Sequence, residues 1–173
     1  MNAHAPRLRG VKSSGVLDSH QHFWRVSRGD YEWLKPDAGV LYRDFEPQHL
    51  RPILEECGVE RTILVQAAPT VSETRFLLDL AERNDFIAGV VGWVDLEDAR
   101  ATETLDELCA SSRFLGVRPM VQDIVDPRWL LKETLTPAVR ALVDRELNFD
   151  AVIRPQHMRA LLQSCERHPD LEV

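Results

Sequence analysis

Residues 86–95 read FIAGVVGWVD. Apart from two glycines and the closing Asp95, every residue of that run is apolar. A strand with one wet face alternates apolar and polar residues. A short continuous run is the mark of a strand buried on both faces, as in a parallel sheet covered by helices. Similar β-like runs flank it in both directions: VLDSHQHF (16–23), RTILVQA (61–67), RFLGVRPM (113–120) and NFDAVIR (148–154). Amphipathic stretches separate them. Leu50, Ile53, Leu54 and Cys57 form a stripe at helical spacing that ends at Gly58, a good residue to follow a helix. Pro52 removes one helix hydrogen bond, which predicts a helix starting near Pro52. Ser72 is the expected cap of a second helix with Phe76, Leu77, Leu80 and Ala81 inward. Ala101, Leu105, Leu108 and Cys109 mark a third. Thr136 and Pro137 open a fourth, with Val139, Leu142 and Val143 inward. Pro155 opens a fifth, with Met158, Leu161, Leu162 and Cys165 inward. Strand and helix in strict alternation predict a parallel sheet with right-handed crossovers, an α/β fold.

The bulk numbers narrow the function. A chain of 173 residues can bury one sizeable core. A net charge of -7 leaves no room for a large basic patch, so no nucleic-acid partner is expected. No apolar run is long enough for a transmembrane helix, and no membrane partner is expected. Residues 1–15 are basic without an apolar core, and read as a flexible arm rather than a secretory signal. Cys57, Cys109 and Cys165 are widely spaced, which points to unpaired buried thiols and a cytoplasmic location.

The chemistry gathers at strand ends. In VLDSHQHFW (16–24), alternation along a strand sends Asp18, His20 and His22 to one face, where two imidazoles could share a divalent cation such as zinc. A lone His-x-His also recurs on exposed strands of many proteins, so the pair needs its structural context. The segment Arg25–Gln48 is long, carries Tyr31, Trp33 and Tyr42, and reads equally as a functional loop or as a cover for the sheet end.

The motifs LDSHQHFW, ILVQA, GVVGWVDL, FLGVRP, FDAVIRP and RHPDLEV, in that order, resemble the amidohydrolase-2 group of the amidohydrolase superfamily, the L-fuconolactonase and L-rhamnonolactonase-like branch. The resemblance runs from Val16 to Val173. It implies a (β/α)₈ TIM-barrel type of fold, here truncated to about five strand–helix units over residues 16–173, with chemistry at the strand C-termini. It implies a sugar-lactone hydrolase acting on a small-molecule substrate. His20 and His22 match the metal-binding pair. Gln66, Trp93 and Arg118 end the second, third and fourth strands as substrate-binding candidates, with Arg118 also a catalytic candidate beside His20 and His22. Plainer roles exist: Gln66 satisfying loop backbone, Trp93 packing in the core, Asp95 capping the next helix. An unpaired guanidinium at a barrel mouth is harder to explain away. His49, His157 and His168 are expected on the surface. HPDLEV (168–173) reads as a helix end followed by the start of a sixth strand. The family's later His and the water-activating Asp belong to the sixth and eighth strands, so these residues are expected to be an incomplete and inactive fragment, self-associating through an exposed sheet edge. The alternatives are a decarboxylase or pyrone-dicarboxylate hydrolase on the same scaffold, or a non-catalytic truncated product.

Overall fold

The structure is a computed structural model that describes residues 15–173. The expected N-terminal arm lies outside the described residues, except for Gly15. Five parallel strands stand in sequential order: β1 (Val16–Gln21), β2 (Val59–Val65), β3 (Ile87–Gly92), β4 (Phe114–Val117) and β5 (Asn148–Phe149). They alternate with α1 (Pro47–Cys57), α2 (Val71–Arg83), α3 (Ala101–Leu108), α4 (Thr136–Asp144) and α5 (Met158–Arg167). This is a TIM-barrel type α/β architecture cut to five units. The Glu172 carbonyl accepts from the Phe149 amide at 2.8 Å, which sets the segment after α5 beside β5, where a sixth strand was expected.

The two-sided burial predicted for the strands is present in β2, β3 and β4, whereas β1 is half-buried or exposed along its whole length. Leu64, Ile87, Val90 and Val117 face the helices and join Leu77, Leu105 and Leu142 in the main core. Ile63, Val65, Ala88, Val91 and Leu115 form a second apolar layer, with Leu17 packed against it. No described helix is long and apolar enough to cross a membrane.

Several local expectations are corrected. α1 begins at Pro47, not near Pro52, because Glu46 and His49 cap it reciprocally and Pro47 occupies the first turn, where a missing N–H costs nothing. Ile53 is exposed on it. α2 is capped by Thr70, whose hydroxyl accepts from the Glu73 amide at 3.0 Å, so Ser72 already lies inside the helix. α4 is capped one residue before Thr136. Met158 and Leu162 are exposed, while Ala160 and Ser164 turn inward, so the apolar stripe of α5 is rotated from the expected one. The thiols are unpaired, but Cys57 is exposed, since it ends the outer turn of α1. His157 is not a surface group. It is fully buried, accepting from the Arg154 amide at Nδ1 (3.1 Å) and bonding the Ile124 carbonyl through Nε2 (3.1 Å), which ties the segment after β5 to the one after β4. Asp95 makes a local turn to the Glu97 amide rather than capping α3, whose cap is Arg100.

Candidate active site

β1 does not run evenly into its histidines. Asp18 pairs with Thr62 and Gln21 with Leu64, so β1 carries an extra residue between them, a bulge at the site's edge. The bulge breaks the alternation that would have aligned Asp18 with the imidazoles. The Asp18 carboxylate instead accepts from the His20 amide at 3.1 Å and from the Thr62 hydroxyl at 3.4 Å.

His20 and His22 do converge. Their Nε2 atoms are 3.1 Å apart and the rings meet edge to face. His22 Nδ1 donates to the Val65 carbonyl at 2.8 Å, which fixes the tautomer and leaves a lone pair on Nε2. Burial holds the His22 imidazole below its ordinary pKa, and the charges of Arg118 and His20 add to this, while the Val65 bond works against it. The atom opposite that lone pair must bring a proton or share a cation. His20 as the Nε2–H tautomer supplies the first; a divalent ion between both lone pairs is the second. The 3.1 Å gap is near the roughly 3.3 Å edge of a tetrahedron drawn with zinc–nitrogen bonds of about 2.0–2.1 Å. The pair therefore fits two corners of a zinc site. Among the described residues there is no group of three or more His, Cys, Asp or Glu that could hold a metal.

Arg118 leaves the end of β4 and reaches across the mouth. Its Nη2 donates to the Gln66 carbonyl, and its Nη1 lies 3.4 Å from His20 Nε2. Its Nε is buried without a partner. Burial lowers the guanidinium's pKa, countered by the fields of Asp150 and Glu73; arginine's high starting value keeps it a cation. Gln66 is wholly enclosed. Its amide donates to the Arg118 carbonyl at 2.9 Å and to Met120 Sδ at 3.1 Å, so it holds the β4 exit in place. Trp93 is half-buried and is not among the residues lining the cleft at this mouth.

That cleft is about 670 Å³ and is lined by His22, Arg118, Trp24, Trp33, Glu32 and Asp123 among others. Trp24 and Trp33 meet edge to face at 5.3 Å, and the Trp33 indole donates to the Ala67 carbonyl at 2.8 Å. Arg25–Gln48 thus supplies a wall of the site. Of its expected aromatics, Trp33 lines the cleft, Tyr31 is buried and Tyr42 is exposed. Sequence reasoning missed Asp150, which follows β5 as Arg118 follows β4. Its carboxyl is pushed up by burial and pulled down by Arg118 and His20. The position just past a strand was the signal that could have found it.

Two imidazoles and one guanidinium at the C-terminal ends of parallel strands can share a cation and donate hydrogen bonds to an oxygen that gains negative charge. The chain belongs to the amidohydrolase family, whose model matches residues 17–173. It is similar to an L-fucono-1,5-lactonase of Burkholderia ambifaria, with 43% identity over 157 residues, 91% of this chain and 54% of the relative. Among solved structures it is similar to an amidohydrolase of Burkholderia multivorans with bound zinc, at 32% identity and a TM-score of 0.80 over 91% of this chain and 55% of the other. The likeness to a 2,6-dihydroxybenzoate decarboxylase complexed with 2,6-dihydroxybenzoate has 16% identity and a TM-score of 0.70, over 92% of this chain and 65% of that one, and shows the fold alone. The chain spans about half the length of the curated relatives it matches.

Proposed function

We propose that this chain carries the carbonyl-binding part of a sugar-lactone hydrolase. The observation that carries the reading is the meeting of His20, His22 and Arg118 within 3.1–3.4 Å at the mouth of an aromatic-walled cleft. The relatives' activity on L-fucono-1,5-lactone supports the substrate class. In the proposed reaction water adds to the lactone carbonyl, the ring C–O bond breaks, and a hydroxy acid leaves. Arg118 donates N–H to the carbonyl oxygen as it gains charge. His20 and His22 would hold a divalent cation such as zinc, which when bound supplies Lewis-acid polarisation. Trp24 and Trp33 cover one side of the ring and exclude water from it. The small-molecule substrate, the metal and a cytoplasmic setting for the unpaired thiols all belong to this reading.

The test is a binding measurement on the protein with zinc present and absent. Stopped-flow tryptophan fluorescence follows L-fucono-1,5-lactone entering the cleft, with 2,6-dihydroxybenzoate as the competing probe. Saturable binding of the lactone is expected, weakened about tenfold or more by Arg118→Met, since a hydrogen bond to a charged group is worth about 1.5–3 kcal/mol. Absence of saturable lactone binding in both conditions, or a preference for 2,6-dihydroxybenzoate, would overturn it.

A further inference from the structure

Glu73 is a titratable group that the reaction above does not use. It sits in the first turn of α2 and is fully buried. Its Oε1 accepts from the Ala67 amide at 3.0 Å, and its Oε2 is buried with no hydrogen-bond partner. The Tyr31 hydroxyl, from the segment after β1, is likewise buried and feels the charge of Glu73, while Arg28 lies on its other side. Ala67 is the residue whose carbonyl holds the Trp33 indole. Gln66, its neighbour, holds Arg118 from both its side chain and its backbone. One carboxyl therefore stands beneath the corner on which both the aromatic wall and the guanidinium rest.

The surroundings set its charge state. From the segment after β1 come Arg28, Asp30 and Tyr31. Arg28 is committed to Asp30 and stacks on Phe76 at 4.4 Å, and Asp30 also accepts from the Thr70 hydroxyl of α2 at 3.4 Å. From β4, Arg118 feels Glu73 only through its field. Among the described residues, Glu73 thus has no ion-pair partner of its own. An unpaired buried carboxylate is costly, and protonation is the ordinary escape. We propose that Glu73 is a positioning residue that holds the Ala67 corner, and through it Trp33 and Arg118, while it is the neutral acid, and that its ionisation loosens that corner. Burial pushes this carboxyl up to about 7, against the Ala67 and Ala68 amides, which favour the anion.

The experiment needs no substrate, so it stands or falls apart from the lactonase reading. Indole N–H resonances are followed by NMR from pH 5.5 to 8.5, with the Trp33 signal assigned by its loss in Trp33→Phe. In the wild type the Trp33 resonance is expected to move with a midpoint near 7. Above that midpoint the Ala67 amide should exchange roughly tenfold faster than its intrinsic pH dependence predicts, as linkage requires when folding is coupled to a proton. Glu73→Gln keeps an acceptor for Ala67 and cannot ionise, so both effects should vanish in it. An unchanged pH profile in Glu73→Gln overturns the proposal. Where that variant does not fold, the carboxyl carbon of Glu73 in the wild type decides: a midpoint near 7 that tracks Trp33 supports the proposal, and an ordinary glutamate midpoint overturns it.

Discussion

Thr74→Val is the substitution whose cost can be worked most directly from the site's geometry. Thr74 is fully buried on α2, and its hydroxyl accepts from the Trp93 amide at 2.8 Å and donates to the Trp93 carbonyl at 2.9 Å. Valine keeps the shape and replaces the hydroxyl by a methyl. The Trp93 amide then loses its partner, and a stranded donor costs about 1–3 kcal/mol, so about 2 kcal/mol is expected here. Thr74→Ser keeps the hydroxyl and loses Cγ2. That methyl stands 2.3 Å from where a Cβ on Gly92 would be, which shows how tightly helix and strand meet. Removing one buried methyl costs about 1 kcal/mol. The order wild type, serine, valine should appear in urea denaturation, with the valine variant melting about 4–8 °C below wild type for a domain of this size. In the proposed reading, lactone binding followed by tryptophan fluorescence should weaken in the same order, because the Gly92 carbonyl accepts from the Arg118 amide at 2.8 Å and carries a disturbance at the β3 exit to the guanidinium. A valine variant within about 0.5 kcal/mol of wild type, or less costly than serine, would refute the assignment of the Thr74 hydroxyl to the Trp93 backbone.

Three further outcomes are expected. Zinc binding measured by chelator competition should weaken at least about tenfold in His22→Ala, because one of only two imidazole donors is lost. Glu73→Gln should match wild-type stability near pH 4.5 and exceed it at pH 8: the folded carboxyl near 7 lies above its unfolded value of 4.5, so wild-type stability falls as pH rises between the two and levels off above 7, at a cost of up to about 3 kcal/mol read by thermal melts. Gly116→Ala puts a Cβ 2.3 Å from the Asn148 carbonyl oxygen and should cost about 1–3 kcal/mol in urea denaturation while parting β4 from β5.

The frame was legible because burial on two faces leaves a direct trace in composition. FIAGVVGWVD has no polar alternation to misread, and its strand appears where the run is. Helix starts were less legible, since caps compete locally. The sequence pointed to Ser72, but Thr70 carries the same hydroxyl, and only the turn leaving β2 sets it against the Glu73 amide. The helix-facing side of α5 depends on what packs against it, so Met158 and Leu162 could not be assigned from spacing alone. At the site, His20 and His22 were marked by their two-residue spacing at the end of β1 and Arg118 by its place just past the buried strand β4, and the structure brings the three together. Asp150 follows β5 in the same way but is hidden in the sequence, because the β-like run NFDAVIR (148–154) carries the expected strand past it, whereas β5 ends at Phe149. Asp18 shows the limit of period-two reasoning: one extra residue in β1 turns a third candidate ligand into a brace for the His20 amide.

Glu73 was illegible for a deeper reason. An acidic residue in the first turn of a helix is what capping and the helix dipole favour on an exposed surface. Nothing in its neighbours along the chain says that Tyr31, distant in sequence, will be buried close enough to feel its charge. Its charge state is a property of the tertiary packing between the segment after β1 and the corner after β2. That same packing puts Trp33 over the cleft. The wall of the site and the neutrality of its buried carboxyl therefore have a common origin: a change that unseats Tyr31 should expose Glu73 and release Trp33 together.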